Sequence, residues 1–145
     1  MILVDTSVWI DHLRQGNRQL VELLEADEVL SHSWVIGELA LGSIHDRKAF
    51  LSLLGYLPKL AQASDAAILD FIESRKLAAR GIGWVDAGLL AACAARPCRI
   101  FTLDKKLKSL AEETGLGFAS HSDNTHDAYH AAQIRNMGIP GTRKA

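Results

Sequence analysis

The sequence predicts an α/β domain in which a mostly parallel sheet is covered by helices on both faces. Short apolar runs of β-strand character alternate with longer stretches whose apolar residues recur at helical spacing. The chain has 145 residues, of which 48% are hydrophobic, and this is enough for one core of ordinary size without disulfides. The sequence contains no internal repeats, so one domain is expected rather than an array.

The strand candidates are short runs bounded by polar or turn-forming residues. RIFTL (99–103) is the clearest, because it combines β-branched and aromatic residues. KLAQA (59–63) has the weakest β-strand character. The predicted strands, in chain order, are 2–5, 28–32, 59–63, 99–103 and 116–119.

The helix candidates lie between these runs and have recognisable ends. Gly16 separates the first two helices, Ser33 is a candidate N-cap for the third, and Ser64 opens the fifth. Gly81 and Gly83 interrupt the chain before an almost wholly apolar helix. The predicted helices are 6–14, 18–26, 34–42, 47–57, 65–79, 85–95 and 105–115.

Charge, cysteine content and hydropathy exclude several classes of protein. A net charge of −1 and a pI near 6.6 leave no overall basic surface, so a nucleic-acid partner requires a local patch. Cys93 and Cys98 lack zinc-site spacing and predict reduced thiols. The longest apolar stretch, residues 81–95, is too short to span a bilayer, and no basic leader precedes the first apolar run. We therefore expect a cytoplasmic protein without a membrane partner.

Residues 120–145 differ in composition from the rest of the chain and are expected to form a polar, mobile C-terminal tail. This segment holds three of the six histidines. His126 and His130 have the spacing of two ligands on one helical face, so a metal site there is the alternative.

Two acidic residues directly follow or end predicted strands. Asp5 ends the first apolar run, and Asp104 follows RIFTL. Asp5 or Thr6 can cap the following helix, because an oxygen side chain there satisfies a free backbone N–H. Alternatively, carboxyl ends of parallel strands are where open α/β sheets build their sites, which would bring both acids to one edge.

Two further acids occur in strongly apolar helices. Glu38 lies within WVIGELALG, which is expected to be buried nearly all round, and Asp86 is the only charged residue of GIGWVDAGLLAACAA. Isolated buried carboxylates are costly, and helix capping explains Asp86 only in part. Together with the strand-end acids they predict an acidic pocket with the hydroxyls of Ser7 and Thr102 nearby.

An acidic pocket of this kind requires a cation, because each carboxylate raises the pKa of its neighbours. Oxygen ligands without His or Cys favour hard ions such as Mg²⁺ or Mn²⁺. Such ions activate water for attack on a phosphodiester, which is nuclease chemistry.

The segments around these acids resemble those of PIN-domain ribonucleases of the VapC toxin type. They are LVDTSVWID at the start, HSWVIGELALGS around Glu38, RGIGWVDAGLLAA around Asp86 and FTLDKKL around Asp104. The resemblance covers about residues 1–119 and implies a PIN-like three-layer α/β/α sandwich. Gly88 departs from the pattern, since relatives often have His there, and this puts substrate handling in question.

The resemblance also implies an activity and its residues. It implies an Mg²⁺-dependent endoribonuclease, with Mn²⁺ able to substitute, that cleaves RNA with a metal-activated water. Asp5, Glu38, Asp86 and Asp104 match the metal-binding acids. Ser7 and Thr102 match hydroxyls that support them, which completes the expected catalytic set.

The implied partners are a cognate VapB-type antitoxin, a second copy of the chain in a homodimer, and operator DNA reached only through the antitoxin. The alternative is a degenerate PIN domain that only binds a partner, which the complete set of acids disfavours. A receiver domain needs an adjacent acidic pair, and a haloacid-dehalogenase-type phosphatase needs D-x-D, whereas the first strand ends in DTS.

Two basic clusters and three tryptophans each have two interpretations. Lys105, Lys106 and Lys108 follow Asp104, and Arg75, Lys76 and Arg80 precede the Asp86 segment, so each cluster either contacts RNA phosphates or forms a solvated helix face. Trp9, Trp34 and Trp84 lie in apolar surroundings that favour core packing over base stacking.

Overall fold

The computed structural model describes residues 1–119, which contain three strands and seven helices. The strands β1 to β3 are Ile2–Val4, Val29–Leu30 and Arg99–Phe101. The helices α1 to α7 are Thr6–Gln15, Arg18–Glu25, Ser33–Ala40, Arg47–Tyr56, Asp65–Ser74, Trp84–Ala94 and Lys105–Glu113. The alternation predicted from the sequence is therefore present.

The sheet is parallel, with the strand order β2-β1-β3. Leu3 pairs with Leu30 on one side and with Ile100 on the other. The chain therefore moves in one direction from β1 to β2 and in the opposite direction to reach β3. This reversal at β1 creates a crevice outside the carboxyl ends of the strands, where α/β sheets place their ligands.

The positions of β1 and α6 in the core explain why their sequences are almost wholly apolar. All three residues of β1 are buried, as are seven consecutive residues of α6 from Ala87 to Cys93. α6 packs against both α5 and β3, while α1 packs against α2 and α3. The buried thiols of Cys93 and Cys98 are free, with their sulfurs 3.5 Å apart, as expected for reduced cysteines.

Two of the predicted strands do not form. Residues 59–63 contribute only one bridge, between Lys59 and Ser31, and residues 116–119 contribute only one, between Gly117 and Ile100. Both segments run beside the sheet for too short a distance to build a ladder. The central sheet is consequently smaller than the sequence predicts.

Two helix ends also differ from prediction. Helix α5 ends at Ser74 rather than near residue 79, because Lys76 and Ala79 have positive φ values of 55° and 61°. The N-cap of α3 is His32 rather than Ser33, since its Nδ1 accepts from the Trp34 N–H at 3.0 Å. Histidine is not among the residues preferred at N-cap positions and serine is, which is why the sequence predicted Ser33.

Candidate functional site

Asp5 and Thr102 come together at the carboxyl edge of the sheet. Val4 pairs with Phe101 at the end of the β1–β3 ladder, and the Asp5 N–H donates to the Phe101 carbonyl at 2.9 Å. Asp5 and Thr102 are the next residues of the two strands, and both are buried. Thr102, predicted as a nearby hydroxyl, therefore lies beside Asp5 at the edge where the strand-end rule places Asp5.

The carboxylate of Asp5 is held by two hydroxyls. Its Oδ2 accepts from Ser7 Oγ at 2.7 Å and from Thr102 Oγ1 at 2.8 Å. Within residues 1–119, no capping bond from the backbone of α1 reaches this side chain, although Asp5 is the N-cap residue. The capping interpretation of Asp5 is thus wrong, and its carboxylate is oriented across the sheet edge.

The same hydroxyls connect Asp5 to the segment that carries Asp104. The Leu103 N–H donates to Ser7 Oγ at 3.0 Å, and the Asp104 N–H donates to Thr102 Oγ1 at 3.1 Å. Two short relays therefore link the β3–α7 junction to one carboxylate oxygen. They fix the position of Asp104 relative to Asp5.

The pKa of Asp86 reflects the burial and the charges of the pocket. Its pKa is raised to about 6, first by burial and then by the negative charges of Asp5, Asp104 and Glu38. Asp86 lies in the first turn of α6, whose N-cap is Gly83. Asp5, Asp104 and Glu38 are therefore each close enough to Asp86 for their charges to act on it.

The remaining two acids are more exposed than expected. Glu38 lies on an exposed face of α3, of which Val35 and Leu39 are the buried residues. The expectation that this helix is buried nearly all round is wrong, because one side of it opens onto the pocket. Asp104 is also exposed, and its Oδ1 accepts from the Leu107 N–H at 3.0 Å, so it caps α7.

The donor chemistry of the pocket suits a hard divalent cation. Its charged donors are all carboxylate oxygens, and the pKa of Asp86 is raised first by burial and then by the negative charges of the other three acids. Residues 1–119 hold no ready-made group of three such side chains at metal-binding separation. Repulsion acts over longer distances than a coordination bond, so the acids face one pocket without being drawn together.

The two basic clusters adjoin each other at the α7 side of the pocket. The Lys106 ammonium lies 3.2 Å from where a Cβ on Gly81 would be, and Arg80 forms a 2.9 Å ion pair with Glu113 of α7. Arg75 reaches the Thr114 carbonyl at 3.4 Å and lies over the Phe71 ring. Arg75 and Arg80 therefore also hold α5 and its following loop against α7.

The three tryptophans have different environments. Trp9 is fully buried and packs edge-on against Phe50, as predicted. Trp34 is half-buried and packs on Gly88, where an added Cβ would lie 2.3 Å from its ring. Trp84 is 42% exposed, so the prediction of core packing is wrong for this residue. It is the first residue of α6, and the first turn of that helix projects beyond the buried core.

A groove lies beside Glu38, between α1 and the connection from α3 to α4. It has a volume of about 400 Å³. Ile10 and Leu13 contribute exposed apolar side chains to it, and Arg14 and His45 contribute basic ones.

The predicted C-terminal tail and its histidines lie outside the described residues.

Comparison with known proteins relates the chain to one family. A family model described as the PIN domain matches residues 2–113. Ribonuclease VapC32 from two strains of Mycobacterium tuberculosis is 47% identical over 120 residues, covering 82% of this chain and 97% of the relative.

A solved structure supports the same fold. The crystal structure of PAE2754 from Pyrobaculum aerophilum matches with a TM-score of 0.56 and 15% sequence identity, covering 81% of this chain and 87% of the other. At that identity the likeness concerns the fold alone. None of the helices within residues 1–119 is long and apolar enough to cross a membrane.

Proposed function

Since the chain belongs to the PIN-domain family, of the VapC type, we propose that it is a metal-dependent endoribonuclease and the toxin of a toxin–antitoxin pair. The observation that carries this proposal is the raised pKa of Asp86, about 6, which results first from burial and then from the negative charges of Asp5, Asp104 and Glu38. Uncompensated charge of this kind is what a divalent cation relieves. The name of the Mycobacterium tuberculosis relative supports RNA as the substrate.

In this proposal Asp5, Glu38, Asp86 and Asp104 hold Mg²⁺, for which Mn²⁺ substitutes. When bound, the ion supplies Lewis-acid stabilisation of a phosphate and lowers the pKa of water. Ser7 and Thr102 keep the Asp5 carboxylate in one orientation through bonds of 2.7 and 2.8 Å. They act as positioning residues, because both hydroxyls are engaged with Asp5.

A cleavage assay with defined metal content tests the activity. Protein stripped with EDTA should leave single-stranded RNA intact, and added Mg²⁺ should restore cleavage. Asp86→Asn should abolish cleavage with an unchanged circular dichroism spectrum. The matched control is Asp70→Asn, on an exposed position of α5, which should cut at the parental rate.

The competing hypothesis is a PIN domain that binds a partner without catalysis. It predicts that RNA remains intact with Mg²⁺ and that Asp86→Asn alters nothing measurable in the assay. Metal-independent cleavage that survives Asp86→Asn would instead contradict the metal-binding role of the acids.

We further propose that the groove beside Glu38 receives the cognate VapB-type antitoxin. Its exposed apolar residues, Ile10 and Leu13, suit an amphipathic segment, and Glu38 lines both the groove and the acidic pocket. An occupant of the groove would therefore border the site it inhibits. Co-purification with the product of a small adjacent gene tests this, and Leu13→Glu should weaken the complex. The homodimer, and contact with operator DNA only through the antitoxin, remain predictions.

A further inference from the structure

Trp84 is exposed at the start of a helix whose central residues are buried. It is 42% exposed, whereas the residues from Ala87 to Cys93 in the same helix are all buried. Exposing a large aromatic ring to water costs free energy that core packing would recover. An exposed ring beside a candidate RNA-cleaving pocket is therefore a candidate for contact with a ligand.

The packing of α3 on α6 defines where Trp84 lies. Gly88 of α6 contacts Trp34 of α3. One turn further along α3 is Glu38, whose charge acts on Asp86 near the start of α6. One turn back from Gly88 along α6 is Trp84. Trp84 thus lies on the same face of α6 as Gly88 and two residues before Asp86.

Lys106 borders the acidic pocket from the α7 side. It belongs to the first turn of α7, next to the capping residue Asp104, and its ammonium packs over Gly81. Gly81 precedes Trp84 by three residues, which span at most about 10 Å of chain. The Lys106 ammonium and the backbone of Trp84 are therefore no further apart than about the span of two nucleotides.

We propose that Trp84 and Lys106 form a nucleotide-binding subsite beside the acidic pocket, in which Trp84 stacks on an unpaired RNA base and Lys106 contacts an adjacent phosphate. This inference rests on the proposed ribonuclease function. Stacking on an aromatic side chain accepts any base, so the subsite positions single-stranded RNA without selecting a sequence. The lysine also offsets the repulsion between an RNA phosphate and the four acids.

Binding is measured separately from cleavage. In an Asp5→Asn background, anisotropy reports binding of a labelled oligouridylate, which has little self-stacking, and of a matched strand of abasic ribose phosphates. Trp84→Ala should weaken oligouridylate binding roughly 5- to 100-fold, the range that loss of one stacked base produces. Trp84→Phe should retain most of the affinity. The abasic strand should bind equally to the parent and to Trp84→Ala.

Lys106 is tested by salt dependence. Lys106→Ala should reduce the slope of log affinity against log salt concentration by about 0.7, the value for one phosphate contact with a single strand. The matched controls are Tyr56→Ala and Lys48→Ala, both exposed on α4. Neither should change affinity or slope.

The outcomes separate this inference from the proposed function. If the parent protein cuts RNA with Mg²⁺ but Trp84→Ala binds oligouridylate as the parent does, the subsite is refuted and the nuclease stands. The subsite is also refuted if Trp84→Ala weakens both strands equally, or weakens only the antitoxin complex. If the parent fails to cut RNA while base-dependent binding through Trp84 persists, the nuclease proposal fails and the subsite stands.

Discussion

At the scale of single residues, Asp5 and Asp104 show that two acids placed alike, between a strand and a helix, have different roles. Each follows a β-strand and begins a helix. Asp104 caps its helix through Oδ1, whereas Asp5 accepts from Ser7 and Thr102 instead. The difference arises because hydroxyls of two chain segments surround Asp5. Whether each carboxylate caps its helix therefore depends on how deeply the side chain lies in the crevice.

The hydroxyl of Thr102 is expected to position Asp5. Thr102→Val removes a donor to Asp5 and an acceptor for the Asp104 N–H in nearly the same volume. We expect cleavage to fall roughly 10- to 100-fold and the Mg²⁺ concentration for half-maximal cleavage to rise, as for other residues that orient metal ligands. Thr102→Ser should restore both values. Equal activity of the valine and serine variants would show that the hydroxyl does not matter.

Asp86 is expected to destabilise the metal-free fold as pH rises. Its folded-state pKa is about 6 against an ordinary value of 3.8, so the folded protein holds a proton that the unfolded chain releases between these values. Its contribution to stability is therefore most favourable at low pH and declines as pH rises from about 4 to 6. After allowance for partial solvent screening, the penalty is about 1–2 kcal/mol.

Urea unfolding of the parent and Asp86→Asn, in EDTA across this pH range, measures that penalty. The variant should be the more stable protein above pH 6, and the two should converge toward pH 4. Millimolar Mg²⁺ should stabilise the parent more than the variant. A variant less stable than the parent at every pH would mean that Asp86 makes a structural contact.

At the scale of elements, the contact of α3 with α6 depends on Gly88. The absence of a side chain there lets the Trp34 ring approach the backbone of α6, because an added Cβ would lie 2.3 Å from Cζ3 of that ring. The large ring of Trp34 thus occupies the space that Gly88 leaves open. Two acids of the pocket lie close to this contact, since Glu38 is one turn from Trp34 and Asp86 is half a turn from Gly88.

Gly88→Ala is expected to destabilise the protein by about 1–2 kcal/mol, because the cost of overpacking exceeds the gain in helix propensity. Unfolding in urea measures it. Adding Trp34→Leu should recover part of the loss, since the smaller side chain removes the clash. The matched control is Gly55→Ala in α4, where nothing lies within 4 Å of an added Cβ. It should stabilise the fold by about 0.5–1 kcal/mol.

At the scale of the whole molecule, residues 1–119 form a self-contained core. The last segment of this range is held by the Gly117–Ile100 bridge and by the Phe118 ring, which lies 5.1 Å from that of Phe101. The family match ends near this point, at residue 113. We therefore expect this fold to form without residues 120–145.

A chain ending at Ser120 is expected to unfold within about 0.5 kcal/mol of the full chain and to cut RNA at the same rate, because no described contact is removed. Urea unfolding and the cleavage assay test both. A chain ending at Thr114 is the contrasting variant, since it loses Gly117 and Phe118. It should be destabilised by about 2 kcal/mol or more. Aggregation of the chain that ends at Ser120 would show that the C-terminal tail packs on the domain.

The sequence by itself determined the alternation of strands and helices and the convergence of its acids. Apolar periodicity is local, and the carboxyl ends of parallel strands must meet at one edge, so Asp5 and Asp104 could be placed together without coordinates. The strand segments 59–63 and 116–119 were predicted wrongly because their pairing depends on how far each segment runs beside the sheet. Local composition carries no information about that length.

Only the tertiary structure decided which faces of the helices are exposed. WVIGELALG and WVDAGLLAACA are similarly apolar, yet Glu38 and Trp84 are exposed while most of α6 is buried. Burial depends on what packs against each side of a helix, and those neighbours come from distant parts of the chain. For the same reason the sequence left open whether Asp5 caps its helix. The two hydroxyls that hold it belong to Ser7 and to Thr102, the latter 97 residues away.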